Sequence, residues 1–249
     1  MKKDRLDDIL VERGMAADRD SALRAILANE VLVDEIPATS AAAMIDPDAH
    51  VRMRAEAKSK YVSRGGDKLK GAIDAFDVDV KGSSCLDIGS STGGFTDCLL
   101  QEGAARVACV DVNYGQLAWK IRQDPRVSVF ERTNIRQADP EKLGAPFDVI
   151  VIDVSFIGLS ALAEDISRFS MDGTLLLALV KPQFESRRGE APGGVVRDGK
   201  VRARTVEEVA SALTEVGYEV IEVIESPIRG KRSGNVEYLL HAVFHESEI

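Results

Sequence analysis

Cys85-Leu86-Asp87-Ile88-Gly89-Ser90-Ser91-Thr92-Gly93-Gly94-Phe95-Thr96 is the stretch on which the fold turns. An apolar run of strand length ends in glycines and passes directly into a helical pattern over 95–102. The same alternation repeats outward from it. Apolar runs read as buried strands at 85–88, 107–112, 127–130, 149–152, 175–180, 220–224 and 238–244, with helical periodicity at 95–102, 116–121, 160–169 and 200–216. Strand and helix in alternation argue a mostly parallel sheet covered on both faces, an α/β doubly wound architecture. No helical pattern separates the last two strands, which predicts one antiparallel strand near the end. The segment 182–199, rich in Gly, Pro, Arg and Glu, reads as a mobile loop beside a site.

Ahead of this region the pattern changes. Leu6, Ile9 and Leu10 recur at i, i+3, i+4 and stop at Gly14; Asp18 stands as an N-cap for a second helix presenting Ala22, Ala25 and Ile26. Val31-Leu32-Val33 and a run holding Val51 and Met53 read as short strands. The division predicts a small α+β domain over 1–59, with a linker at its end, and a larger domain over 60–249.

Composition narrows the function classes. The 249 residues are 45% hydrophobic and 29% charged, a globular balance. Lys and Arg number 32 against 41 Asp and Glu, so the net charge is −9 and any nucleic-acid surface must be local. No run approaches the roughly 18 apolar residues of a membrane span, and Met1-Lys2-Lys3-Asp4-Arg5 leads into no signal-like apolar segment. Cys85, Cys98 and Cys109, odd in number and without CxxC spacing, read as reduced structural thiols of a cytoplasmic protein. His50, His241 and His245 show no ligand spacing, so no metal is expected.

Glycines at a strand-to-helix junction let backbone approach a ligand closely. A P-loop would end in Gly-Lys-Ser/Thr, whereas Gly94 is followed by Phe95; a dinucleotide fingerprint would read G-x-G-x-x-G, whereas three non-glycines separate Gly89 from Gly93. S-adenosylmethionine fits better. Its carboxylate and ammonium call for backbone amides and an acid such as Asp87, its ribose for an acid ending the next strand, Asp111, and its adenine edge for Asn134 after the third. The predicted cofactor residues are therefore Asp87, Gly89, Ser90, Ser91, Thr92, Gly93, Gly94, Phe95, Asp111 and Asn134. The competing account is a glycine turn with strand-end acids, common to any doubly wound sheet.

Asp153 and Lys181 end the strands at 149–152 and 175–180, on the side where open α/β sheets bind ligands. An antiparallel last strand would begin on that side too and bring in Glu237; Lys68 precedes the sheet. The plainer account is a lysine snorkelling at a strand end and an acid on a solvated edge.

Residues 60–244 resemble the TlyA family of ribosomal RNA 2′-O-methyltransferases, a branch of the FtsJ-like methyltransferases. The resemblance is carried by Tyr61-Val62-Ser63-Arg64-Gly65-Gly66-Asp67-Lys68-Leu69, the glycine loop, Asp111-Val112-Asn113-Tyr114-Gly115-Gln116-Leu117-Ala118-Trp119 and Glu131-Arg132-Thr133-Asn134. Asp153-Val154-Ser155-Phe156-Ile157, Lys181-Pro182-Gln183-Phe184-Glu185 and Ser233-Gly234-Asn235-Val236-Glu237-Tyr238 continue it. It implies a Rossmann-like seven-stranded sheet, S-adenosylmethionine as cofactor, a cytidine ribose in ribosomal RNA as target, and a Lys-Asp-Lys-Glu tetrad falling on Lys68, Asp153, Lys181 and Glu237. The front domain is similar to the S4 RNA-binding fold, departing from it at Asn29 and at Asp34-Glu35. The chain stops soon after the final strand, which leads us to expect large-subunit RNA as the target.

Local charge agrees with an RNA partner. Residues 54–70 hold six basic and two acidic side chains, residues 181–204 seven and three, and Arg229, Lys231 and Arg232 add three more positives. The expected RNA contacts are Arg5, Arg19, Arg24, Lys58, Lys60, Arg64, Arg187 and Arg188. Aromatic residues are 5% of the chain, and the sequence shows no cluster of them for clamping a flipped base. Two other classes compete: a non-catalytic RNA- or ribosome-binding protein that keeps the cofactor fold, and a haemolysin-type membrane-active protein.

Overall fold

The computed structural model describes residues 3–27, 31–53, 59–230 and 234–246, without the side chains of Arg24 and Leu27. The chain forms two compact units, 1–58 and 59–249.

In the smaller unit, helices Leu6–Glu12 and Arg19–Leu27 accompany a three-stranded antiparallel sheet ordered Ile36–Pro37, Val31–Val33, Val51–Met53. The apolar stripe read from the sequence is its core: Leu6, Ile9 and Leu10 are buried with Ala22, Ile26, Val31 and Val51. Asp18 caps the second helix, its Oδ1 accepting from Ser21 N at 2.7 Å. Val33 pairs with Ile36, leaving Asp34-Glu35 as a two-residue hairpin turn with both φ values positive, +48° and +67°. That geometry favours Asn-Gly. Here Asp34 Oδ1 accepts from His50 N at 3.0 Å, and Glu35 pairs with Arg52.

The larger unit is built on β1 (Ser84–Ile88), β2 (Arg106–Asp111), β3 (Val127–Glu131), β4 (Val149–Ile152), β5 (Leu175–Val180), β6 (Tyr218–Glu225) and β7 (Tyr238–Phe244). They form one seven-stranded sheet ordered β6-β7-β5-β4-β1-β2-β3, in which only β7 runs antiparallel to its neighbours. Its helices are α1 (Arg64–Ala75), α2 (Gly94–Gln101), α3 (Trp119–Arg122), α4 (Pro140–Leu143), α5 (Ala163–Ser167), α6 (Pro182–Glu185) and α7 (Gly199–Glu215).

Side chains alternate across a strand, and the two faces build two cores. Cys85, Val107, Cys109, Val149, Val151 and Leu177 pack with Leu69 and Ile73 of α1 and Leu99 of α2. Leu86, Ile88, Val110, Ile150, Ile152, Leu176 and Val180 pack with Ile166 of α5 and Val209 and Leu213 of α7. Continuing the first series by two residues reaches Asp87, Asp111 and Asp153, and by four residues from Leu177, through Leu179, reaches Lys181. Parity thus puts the acids and the lysine on the α1/α2 face. Leu179 and Leu239, paired across β5 and β7, close that face against Ala72 of α1; the same parity adds Glu237.

Three sequence expectations are corrected. The helix expected over 116–121 starts only at Trp119, because carboxylates hold the preceding loop: Asp111 Oδ1 accepts from Asn113 N and Glu131 Oε1 from Gly115 N. The helix expected over 160–169 opens as a 3₁₀ turn, Ser160–Leu162, before α5. The segment 182–199 is no bare loop. It contains α6 and a 3₁₀ turn at Pro192–Gly194, and Val196 is buried and tied through its N–H to Asn235 Oδ1 at 3.1 Å.

Candidate active site

The loop after β1 is organised by two acids. Asp87, 0% exposed, accepts from Thr96 N at 3.1 Å and Thr96 Oγ1 at 2.6 Å, both on its Oδ2. Its Oδ1 is buried without a hydrogen-bond partner, and burial pushes the carboxyl up to about 7. Asp111 spends Oδ2 on Ser91 N at 2.8 Å and Oδ1 on Asn113 N at 2.7 Å. Both oxygens of Asp111 thus help to fix the loops after β1 and β2, and each keeps a further lone pair to accept from a ligand hydroxyl.

Gly89 sits at φ +84° with its α-carbon against β4: a Cβ there would lie 2.6 Å from Asp153 O. The cofactor loop and the acid of the expected tetrad are therefore in contact. Gly93 caps α2 in the left-handed conformation, and a Cβ on Gly94 would strike Ser63 Oγ and come within 3.0 Å of Gly66 N, so the N-termini of α1 and α2 abut. Ser90 is buried, while Ser91 and Thr92 are exposed. Phe95 departs from expectation, because its ring is core between α1 and α2. Asn134 is exposed at the start of a 3₁₀ turn, its Oδ1 accepting from Arg136 N at 3.1 Å. A buried, unpartnered carboxylate oxygen beside a loop free of bulky side chains is what the ammonium and close-packed backbone contacts of S-adenosylmethionine require, and the residues present fit that group.

The four expected tetrad residues form two ion pairs. Lys181 Nζ lies 2.5 Å from Asp153 Oδ1, off the axis of a hydrogen bond, and donates to Ser155 Oγ at 3.1 Å. Lys68 Nζ lies 2.5 Å from Glu237 Oε2. Lys181 is 9% and Glu237 3% exposed, which overturns the snorkelling and solvated-edge accounts. Lys68 reaches Glu237 from the second turn of α1, one turn before Ala72 seats that helix on Leu179 and Leu239.

The expected RNA contacts scatter. Arg5 pairs with Asp7 and Arg19 with Asp8, each at 2.6 Å, and Arg187 Nη2 lies 3.0 Å from Glu208. Lys60 and Arg188 are exposed, and Arg64 opens α1. The side chain of Arg24, Lys58, and the two basic residues Lys231 and Arg232 lie outside the described residues.

Sequence reasoning missed an aromatic feature. Phe156 follows Ser155 at φ +70° with 89% of its surface exposed, and its ring lies 5.5 Å from that of Phe184 on α6. A bulky residue in the left-handed region is a costly outlier. Tyr114, also exposed, carries the Arg132 guanidinium 4.4 Å over its ring. Nothing in the linear pattern marks Phe156 as exposed; its neighbours Val154 and Ile157 suggest core.

Among the described residues no group of His, Cys, Asp and Glu is arranged to hold a metal, and no helix is long and apolar enough to cross a membrane. A family model described as FtsJ-like methyltransferase matches residues 61–244. The chain is 44% identical over 240 residues to the 16S/23S rRNA (cytidine-2′-O)-methyltransferase TlyA of Mycobacterium tuberculosis, covering 96% of this chain and 89% of that one. It is 34% identical over 185 residues to the 23S rRNA (cytidine-2′-O)-methyltransferase TlyA of Campylobacter jejuni, covering 74% and 71%. A solved structure of a candidate hemolysin from Streptococcus thermophilus superposes with a TM-score of 0.77 at 37% identity, covering 99% of this chain and 90% of that one.

Proposed function

The chain belongs to the FtsJ-like methyltransferase family, and we propose that it methylates the ribose 2′-hydroxyl of a cytidine in ribosomal RNA with S-adenosylmethionine as donor. The observation that carries this reading is the contact of the glycine loop with Asp153, whose carboxylate is in turn paired with Lys181. That contact supports a reading in which the cofactor cradle and the proton-handling amine lie at the ends of the adjacent strands β1, β4 and β5. The large-subunit 23S RNA is the proposed acceptor, being the one RNA common to the names of both curated relatives above. Ribosomal RNA makes the cytoplasm the proposed place of action.

When bound, the cofactor would supply an electrophilic methyl on a positively charged sulfur, which would leave as a neutral thioether when the methyl–sulfur bond breaks. Asp87 Oδ1 would hold its ammonium and Thr92 N would meet its carboxylate, since the amides of Ser90, Ser91 and Gly93 already donate to Val110 O, Asp111 Oδ2 and Ser90 O; Asp111 and Asn134 would face the nucleoside end. Lys181 aims its amine at the 2′-oxygen and steadies the negative charge that develops there, while Asp153 and Ser155 fix that amine in place. The hydroxyl proton passes to the Lys181–Asp153 pair as the oxygen–carbon bond forms. The Lys68–Glu237 pair sits beside this one by the β5–β7 register and places the ribose. Phe156, exposed at a conformational cost, offers a face for the target base. The small unit, with its S4-like arrangement, adds contacts elsewhere on the RNA.

Lys181→Ala should abolish methyl transfer to ribosomal RNA, with cofactor affinity kept within about threefold. Lys181→Arg separates the roles: a guanidinium keeps charge but does not act as a base. Residual turnover on the order of 10⁻² marks charge stabilisation as the main contribution, and none marks proton removal. Wild-type turnover of Lys181→Ala would remove the tetrad from the mechanism. Mapping 2′-O-methyl marks lost on gene deletion, in both ribosomal subunits, tests the acceptor.

A further inference from the structure

The segment Lys181–Glu185 ends in a carboxylate to which the reaction assigns no task. Glu185, half-buried at the end of α6, reaches across to the loop that follows β4. Its Oε1 accepts from Leu159 N and its Oε2 accepts from Ser160 Oγ at 2.7 Å. The fit leaves no slack, since a Cβ on Gly158 would come within 2.5 Å of Oε2, 3.0 Å of Cδ and 3.2 Å of Oε1. Desolvation of this carboxyl raises its proton affinity, and the bonds from Ser160 and Leu159 oppose that rise.

The same two segments touch at three other points. Lys181 pairs with Asp153, Lys181 donates to Ser155, and the Phe184 ring meets Phe156. All three sit toward the reacting end of the segments; Glu185 closes the far end. Between the two ends lies Phe156 at φ +70°, in a backbone state that persists only where the surroundings over-determine it. With its side chain almost wholly in solvent, Phe156 cannot be held by its own burial. What remains to hold it is the Phe184 contact and the backbone anchorage three and four residues on, at Leu159 and Ser160.

We infer that Glu185 is a positioning residue for methyl transfer: its two hydrogen bonds lock the Asp153–Ser160 loop onto α6, fixing both the Lys181–Asp153 geometry and the strained posture of Phe156. The inference rests on the reading of function above, and it adds a residue to that reaction without giving it contact with substrate or cofactor.

A lock of this kind acts on turnover more than on cofactor binding. Glu185→Ala should lower kcat by about 10²-fold, as a misplacement on the order of 1 Å does at a reacting centre, with the KM and the Kd for S-adenosylmethionine within about threefold of wild type. Glu185→Gln keeps an acceptor for Leu159 N, and its amide can donate to a rotated Ser160 hydroxyl, so it should restore turnover to within about fivefold. Gly158→Ala attacks the lock from the other side. Gly158 lies outside the left-handed region, so the new methyl adds no backbone strain, only displacement of the carboxylate. It should reproduce the Glu185→Ala phenotype, and the double variant should be no worse than Glu185→Ala alone.

Hydrogen exchange on the full chain gives a readout free of activity: peptides spanning residues 153–160 should exchange at least tenfold faster in Glu185→Ala, with β1 and α2 unchanged. Unaltered exchange there, additive losses in the double variant, wild-type kcat in Glu185→Ala, or equal loss of turnover and cofactor affinity would each overturn the assignment. Failure of the wild-type protein to methylate ribosomal RNA would overturn the functional reading instead, while loop exchange would still report whether Glu185 holds the segment.

Discussion

Asp87 is a site carboxylate whose proton affinity is raised by burial, and the consequence is testable by pH. Burial lifts its carboxyl to about 7, against an ordinary value of 3.8. In the folded chain it therefore binds a proton at pH values where the unfolded chain does not, so its contribution to stability falls as pH rises from about 4 through 7. A ligand ammonium at Oδ1 favours the carboxylate and expels that proton, which reverses the trend for binding: S-adenosylmethionine should bind more tightly at pH 8 than at pH 6, by up to about tenfold per pH unit below 7. Calorimetry in buffers of different ionisation enthalpy should find close to one proton released at pH 6. Asp87→Asn should flatten the dependence, and a flat profile in the wild type would show that Oδ1 does not meet the ammonium. Phe156 poses the opposite problem, since its position costs stability. Phe156→Gly relieves about 1–2 kcal/mol of left-handed strain and forfeits a ring contact of about 0.5–1.5 kcal/mol. Its unfolding free energy should stay within about 1 kcal/mol of wild type, measured by denaturant titration. Methyl transfer should nonetheless fall at least tenfold through KM for RNA, because stacking on an aromatic face is worth about 1–3 kcal/mol per base. An unchanged KM would leave Phe156 without a role in RNA binding. Asp87 was legible because it ends a strand before a glycine loop; Phe156 was not, because a positive φ leaves no mark in composition or period.

At the level of elements, α1 carries the clearest lesson. No element is assigned from the sequence to Arg64-Gly65-Gly66-Asp67 ahead of the sheet, whereas the structure makes it the first turn of a twelve-residue helix. Leu69, Ala72 and Ile73 at i, i+3, i+4 were the available signal, overshadowed by two glycines that weaken any helical reading. A Cβ on Gly65 would meet only ordinary van der Waals contacts from 3.4 Å, whereas Gly66 answers to packing, because Tyr61 fills the position a Cβ there would need. The contact has a functional cost if broken, because α1 delivers Lys68 to Glu237. Gly94→Ala places a methyl against Ser63 Oγ and near Gly66 N, backbone that cannot yield as a flexible side chain can. Overpacking of this type costs about 1–3 kcal/mol. We expect a kcat loss exceeding that of Gly14→Ala, which strains the backbone at φ +67° but brings its Cβ within 4 Å of nothing. Equal turnover in the two variants would detach helix placement from catalysis. Strands were read more faithfully than helices here, because buried parallel strands are continuous apolar runs, whereas α3 and the start of α5 are set by carboxylates and loop hydrogen bonds distant in sequence.

For the whole molecule, the legible part of the site was its sheet face. Strand ends and side-chain parity place Asp87, Asp111, Asp153, Lys181 and Glu237 together, and no partner need be seen for that deduction. The pairing pattern was not legible: that Lys68 joins Glu237 while Lys181 joins Asp153 depends on where α1 packs. The RNA surface was the least legible, because a count of basic residues cannot show which are already neutralised. Arg5, Arg19 and Arg187 face Asp7, Asp8 and Glu208, so each brings RNA a charge partly spent at home. On a chain of net charge −9, this predicts a shallow salt dependence overall, carried by residues such as Lys60 and Arg188. Each phosphate contact contributes about 0.7–0.9 to the slope of log K against log salt. Lys60→Ala and Arg188→Ala should each reduce the slope by nearly that amount. Arg5→Ala and Arg19→Ala should change it by much less, since an acid is unmasked as the base is removed. Fluorescence anisotropy of a ribosomal RNA fragment at several salt concentrations measures this directly. A slope that drops most for Arg5 and Arg19 would mean that RNA breaks those ion pairs on binding, and the small unit, despite its surplus of acids, would then supply the main grip.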